Sequence, residues 1–223
     1  MYSKLNFACF IILISFFFSI SVSAQSDFEG KIALRISGDD ETTDMDYFIK
    51  GENIRMEVDA EDNSAVILFN TKNKKTTMMM PGQNMYMEFD VNQYMPETDN
   101  DNDIDEEIGD IERTGEYKDI NGYKSEKWIF KDEDNIVEAW MTDELGNFYM
   151  MMNPMDNSSQ EKWKQKLQGN YFPMKVDVIE DGEKTSSMEV LSVNKMSLNE
   201  DLFKVAPGMQ KFDMPNMNMF KQN

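Results

Sequence analysis

Apolar and polar residues alternate one for one along several stretches of this chain, and that period of two constrains the fold more than any other feature. Phe28, Gly30, Ile32, Leu34 and Ile36 fall on one side of an extended segment, with Glu29, Lys31, Arg35 and Ser37 on the other. Ile54, Met56 and Val58 alternate with Arg55, Glu57 and Asp59, and Phe172, Met174, Val176 and Val178 with Pro173, Lys175, Asp177 and Ile179. Successive side chains of a β-strand point to opposite faces, so this pattern specifies antiparallel strands with one buried face. Val66 to Phe69 is instead a continuous apolar run, the pattern of a strand covered on both faces.

Turn residues divide these segments at short intervals. Lys50-Gly51-Glu52-Asn53 separates two of them, and Pro81-Gly82-Gln83-Asn84 closes a hairpin between the segments at Met78 and Met85. Asn121-Gly122 and Asp181-Gly182 are dipeptides favoured in two-residue hairpin loops. Roughly eight to eleven strands in a meander are expected. One helix is expected over 158–168. Ser158 and Glu161 have capping-box spacing, Trp163 and Leu167 share a face four residues apart, and Gly169 is placed to end it. The fold class that follows is mainly β (α+β): a curved antiparallel sheet, an unclosed β-barrel, wrapped around that short helix.

Residues 1–24 read as a cleaved secretory signal. Lys4 supplies the charge, Phe7 to Ile20 the apolar run and Val22-Ser23-Ala24 a small-residue cleavage site. The run is short for a membrane span, so an integral membrane protein is not expected. Cys9 lies inside the run and Gln25 takes the first mature position, where a lipoprotein would carry Cys. The expected location is the periplasm or the exterior, as a soluble protein. Residues 25–212 are expected to form one domain with an acidic loop at 97–112, followed by a flexible Met-rich tail at 213–223.

Nothing after residue 24 is Cys or His, so no disulfide can staple the fold and no Ser-His-Asp or Cys-His arrangement can form. A carboxylate pair cannot be singled out among 42 acidic residues. An enzyme is therefore not expected. The formal net charge of −20 disfavours nucleic acid as a partner, because phosphate binding needs clustered Lys and Arg. No cofactor is expected, and the oligomeric state is left open. In the acidic loop, Asp99, Asp101, Asp103 and Asp105 alternate as Ca²⁺ ligands would. Ile104 and Asp110 stand where an EF-hand loop needs Gly and Glu, so a solvated loop is the expectation. Methionine is the compositional outlier, with all but Met1 of the 21 after the signal. Its unbranched thioethers suit core filling, an adaptable apolar pocket, or soft-metal binding. Met214, Met217 and Met219 in the tail are weak candidates for Cu(I).

Several segments carry a resemblance. They are Phe28-Glu29-Gly30-Lys31-Ile32, Ile49-Lys50-Gly51-Glu52-Asn53-Ile54-Arg55-Met56, Met80-Pro81-Gly82-Gln83-Asn84-Met85-Tyr86, Thr114-Gly115-Glu116 to Gly122-Tyr123, Ala139-Trp140-Met141-Thr142, and Leu202-Phe203-Lys204-Val205-Ala206-Pro207. Together they resemble the exported Gram-negative family named domain of unknown function 4412. Relatives carry Cys two residues after the Gly-Tyr pair, whereas Ser125 stands here, so no thiol chemistry is implied. The family is similar in architecture to LolA/LolB-like periplasmic lipoprotein carriers, in which an unclosed barrel and a helical lid enclose an apolar cavity.

That resemblance implies an exported binding protein that carries or chaperones a lipid or lipoprotein acyl chain. The alternatives are a Met-based Cu(I)-binding or oxidation-buffering protein and a structural envelope protein without a small ligand. The candidate cavity residues are Trp163 and Leu167 from the expected helix, with Trp128, Trp140, Met141 and Phe172 from the strands.

Overall fold

A computed structural model of the chain describes residues 28–38, 41–58, 64–90, 111–131, 135–146, 148–149 and 171–213. The strands are β1 (Gly30–Gly38), β2 (Glu41–Lys50), β3 (Asn53–Val58), β4 (Ala65–Asn70), β5 (Lys75–Met80), β6 (Met85–Asp90), β7 (Ile111–Ile120), β8 (Tyr123–Lys131), β9 (Asn135–Thr142), β10 (Phe172–Glu180), β11 (Glu183–Lys195) and β12 (Gln210–Lys211). They form one sheet in the order β12-β6-β5-β4-β3-β2-β1-β11-β10-β9-β8-β7. All neighbours are antiparallel except β12, which runs parallel to β6 over two residues.

The order is a meander cut open at β1. One arm runs from β1 out to β6, and the other returns from β7 to β11, which pairs with β1 from Gly30↔Lys195 to Gly38↔Ser186. The expected turn chemistry sets the hairpins. Asn121 and Gly122 have φ of 53° and 85°, Asp181 and Gly182 of 51° and 82°. Positive φ at both central positions gives the loop the twist of its flanking strands. Ile120 then pairs with Tyr123, and Glu180 with Glu183.

The sheet is curved, and side-chain contacts show it. Tyr47 on β2 and Phe172 on β10 are separated by β1 and β11, about 14 Å in a flat sheet, yet their ring centroids are 5.5 Å apart. Asn121, at the β7–β8 turn, donates its side-chain N–H to the Val190 carbonyl of β11 at 2.8 Å, across the width of β9 and β10. Contacts of this kind need the sheet to bend until its inner face closes on itself.

Two expectations are corrected. The sheet is not a β-barrel: β7 and β12 are its two ends and do not pair. Nor is it shown wrapped around a short helix. The helical elements among the described residues are 3-10 turns at Pro81–Gln83 and Glu200–Phe203, neither reaching two turns of α-helix. Residues 158–168 lie outside the described residues. Among the described residues, the inner face is covered by an irregular strap after β9, from which Leu145 and Phe148 are buried. A capping box and an i, i+4 apolar pair are compatible with a helix but do not position one against a sheet.

The main core is the inner face, where Ile32, Leu34, Tyr47, Ile54, Phe69, Val137, Val176 and Val190 join one cluster. A smaller cluster lies on the outer face, where Val66, Leu68 and Met79 pack against Val205 and Met209. β4 thus contributes Ile67 and Phe69 inward and Val66 and Leu68 outward, as its unbroken apolar run implied. The chain after β11 supplies the outer cover. It is held by Lys50 Nζ to the Leu198 carbonyl (2.6 Å), Arg55 Nη1 to the Leu202 carbonyl (2.7 Å) and Gln210 N to the Asn84 carbonyl (3.0 Å). Gly30 is required where β1 meets β11: a Cβ there would strike the Asn194 carbonyl oxygen and lie 2.9 Å from Phe28.

Candidate functional site

The inner face is the candidate site. Trp128, Met141 and Phe172 all belong to its apolar cluster, contributed by β8, β9 and β10. Trp140 stands on the outer face, directly opposite Lys127 on β8 and Lys175 on β10. Adjacent residues of a regular strand cannot share a face, so an inward Met141 turns Trp140 outward. There the Lys118 ammonium sits 3.8 Å from the Trp140 ring centroid. Burial, followed by repulsion from Lys175 and Lys127, holds the Lys118 pKa below its ordinary value. Trp163 and Leu167, the Asp99, Asp101, Asp103 and Asp105 set, and Met214, Met217 and Met219 lie outside the described residues.

Three rings anchor the centre of the inner face. Tyr47 stacks on Phe148 with centroids 5.9 Å apart, and Phe172 meets Phe148 edge-on at 5.2 Å. The Tyr47 hydroxyl accepts from the Tyr149 backbone N–H at 3.0 Å and donates to its carbonyl at 3.3 Å. Burial pushes the Tyr47 hydroxyl pKa far up, so it stays protonated and can fill both roles. Tyr149 then lays its ring against Phe69, centroids 4.8 Å apart. The strap is thus fixed across the inner face from β9 to β4.

At the β7 end a charged pair borders the apolar surface. Arg113 Nε and Nη2 both donate to Glu126 Oε2, and Trp128 Nε1 donates to the same oxygen at 3.2 Å. The guanidinium lies 5.0 Å from the Trp128 ring centroid and 5.7 Å from that of Tyr171. The Arg113 hydrogen bonds outweigh burial and keep the buried Glu126 carboxyl below its usual pKa. The Arg113 side chain is 52% exposed and so reaches the rim.

At the β6 end the inner face continues in methionine. Met56 aligns with Ile67, Met78 and Met87 across β3 to β6, and Met80 aligns with Met85. Met78, Met80, Met85 and Met87 are half-buried. Sequence reasoning missed Tyr47, Phe148, the Arg113–Glu126 pair and this methionine block. The block was legible: Met78 and Met80, then Met85 and Met87, alternate on either side of a recognised turn. Tyr47 and Phe148 carried no such signal, because their contact joins positions a hundred residues apart. Among the described residues no group of three or more His, Cys, Asp or Glu is placed to hold a metal.

The model of the family described as "Domain of unknown function (DUF4412)" matches residues 28–209, which takes in every strand up to β11 and most of the outer cover. The chain belongs to the DUF4412 family. No curated protein matches this DUF4412 chain by sequence. Among solved structures, an uncharacterized conserved protein from Thermus thermophilus is similar, with 10% identity, 86% of this chain and 93% of that one covered, and a TM-score of 0.51. PNGF-II follows at 17% identity and a TM-score of 0.49, with 86% of this chain covered, and this chain spans 32% of its length. MucB in complex with MucA(peri) is matched at 7% identity and a TM-score of 0.48, over 86% of this chain and 59% of that one. The Thermus likeness shows a shared fold. None of these structures gives specific support to a LolA/LolB-like or lipid-binding identity, and that assignment is corrected accordingly.

Proposed function

We propose that this DUF4412 chain is an extracytoplasmic binding protein that receives an apolar ligand, or an apolar segment of another protein, on the inner face of its sheet, without transforming it. One observation carries the proposal: the inner apolar layer does not end where the packed core ends. Met80, Met85 and Met87 extend it toward the β6 edge, half-buried and outside both packed clusters. Flexible thioether side chains suit a surface that must adapt to its occupant. The extracytoplasmic location rests on the signal pattern of residues 1–24, and N-terminal sequencing of the exported protein checks it.

Fluorescence titration tests the binding. A fluorescent apolar dye bound to the protein should be displaced saturably, with a fatty acid and an apolar peptide as the two competing probes. Met87→Glu should abolish the effect while leaving the fold intact, because a charge on the flank is costly to desolvate. The finer reading, that the ligand is the acyl chain of a lipid or lipoprotein, stands only if the fatty acid binds. A folded wild type that binds neither probe overturns the proposal.

A further inference from the structure

The β5–β6 hairpin places four thioethers in one block on one face. Met78 pairs directly with Met87, and Met80 with Met85. Residues opposite each other in an antiparallel pair have Cβ atoms about 5 Å apart, and i, i+2 neighbours on the same face follow within reach of long side chains. Two rotatable bonds place each sulfur and a third turns its methyl group aside, so several sulfurs can converge on a point above the centre of the block.

The backbone beneath is fixed. The 3-10 turn Pro81–Gln83 closes the hairpin, with Asn84 in the left-handed region and its N–H donating to the Pro81 carbonyl at 3.0 Å. Asn84 Nδ2 donates to the Gly208 carbonyl at 3.2 Å, and β12 pairs with Met85 and Tyr86. A one-residue slip would exchange the faces, and these ties prevent it. Met79 and Tyr86 point to the opposite face, where Met79 is buried in the outer cluster and Tyr86 packs against it. Glu88 also points outward and is taken by Lys211 at 2.8 Å. The block itself offers sulfur and no carboxylate.

We infer that Met78, Met80, Met85 and Met87 form a binding site for a soft monovalent cation, Cu(I). Thioethers select Cu(I), while Mg²⁺, Ca²⁺ and Mn²⁺ prefer oxygen. A chain without His or Cys after residue 24 has no competing soft ligands of the stronger kinds. These four are other residues than the tail methionines Met214, Met217 and Met219, which lie outside the described residues, and the inference does not depend on whether the inner face takes an apolar ligand.

Competition between the full mature chain and Cu(I)–bicinchoninate tests it, in oxygen-free buffer with ascorbate as reductant. The expected result is withdrawal of one Cu(I) per chain, unaffected by excess Mg²⁺ or Ca²⁺. Met80→Leu/Met85→Leu should abolish the competition, whereas Met214→Leu/Met217→Leu/Met219→Leu should preserve it. Met to Leu conserves volume, so the fold should persist, and far-UV circular dichroism verifies this. Methyl NMR of wild type labelled at the methionine methyls gives a second readout that needs no variant to fold: Cu(I) should shift a set of four methyl signals together. The inference is overturned if the wild type withdraws no Cu(I). It is equally overturned if the tail triple variant loses binding while the hairpin variant keeps it, or if Cu(I) shifts methyl signals indiscriminately.

Discussion

Tyr47→Phe isolates the bond that fixes the strap. Tyr47 is fully buried, and Phe keeps its ring contacts with Phe148 and Phe172, so the apolar packing is unchanged. Only the hydroxyl goes, and with it the bonds to the Tyr149 N–H at 3.0 Å and carbonyl at 3.3 Å. An ordinary hydrogen bond contributes about 0.5–1.5 kcal/mol net, and a buried group left unsatisfied costs about 1–3 kcal/mol. Both the N–H and the carbonyl of Tyr149 lose this partner. The expected loss is about 1.5–3 kcal/mol. Urea unfolding measures it as a lower midpoint with an unchanged slope, since the area exposed on unfolding is the same. Hydrogen exchange at the Tyr149 amide should accelerate in parallel. A loss below about 0.5 kcal/mol, with Tyr149 exchange unchanged, would refute the claim that this hydroxyl docks the strap.

Gly30→Ala should destabilise by about 1–3 kcal/mol, the range for overpacking, because its methyl meets the Asn194 carbonyl; thermal melting checks this, and a neutral result would mean β1 and β11 separate freely there. The Glu126 carboxyl is held below its ordinary pKa of 4.5, chiefly by the Arg113 hydrogen bonds. Its contribution is therefore complete above pH 4.5 and is lost as pH falls from there through the lowered folded value. Glu126→Gln should remove that part of the acid dependence, and parallel slopes for the two proteins between about pH 5 and 3 would contradict the assignment. Arg55→Met removes the donor to the Leu202 carbonyl, and amide exchange should rise at Gln210 and Phe212, where the outer cover ends on β6.

The legible parts of this fold were those encoded locally. Alternation gave the faces of β1, β3 and β10, and the Asn121-Gly122 and Asp181-Gly182 dipeptides gave the two hairpins. The double burial of β4 followed from four consecutive apolar residues. Pro173 looks out of place in an interior strand until the register is seen: the β9–β10 ladder shifts between Pro173 and Lys175, a bulge that needs no N–H from proline. What was not legible depends on bending. Nothing local states that β2 and β10 approach, so the Tyr47–Phe148–Phe172 cluster could not be read from the chain. Trp140 shows a different limit. Alternation within Ile136 to Met141 separates Trp140 from Met141 whatever the register, yet both are large and apolar, so composition alone groups them.

The two ends of the sheet are covered differently, and this bears on where binding can occur. The β7–β10 arm is filled from within: the strap residues Leu145 and Phe148 occupy the inner face against Met141 and Phe172. The β3–β6 arm is packed on its inner face by Ile54, Met56, Ile67 and Phe69 of β3 and β4, and is covered from without as well, where Val205 and Met209 meet Val66, Leu68 and Met79 and where Arg55 and Asn84 bind the covering segment. Its backbone is thereby fixed with no demand on the inner side chains nearest the edge. A binding surface needs a rigid backbone beneath side chains that can still rearrange. The inner flank at Met80, Met85 and Met87 meets both conditions, and Met78 borders it where it packs against the main cluster. An apolar occupant and a soft cation would thus use the same methionines in different ways, one by contact with the thioether chain and the other by coordination to its sulfur. Competition between a fatty acid and Cu(I) for one wild-type sample would show whether the two uses exclude each other.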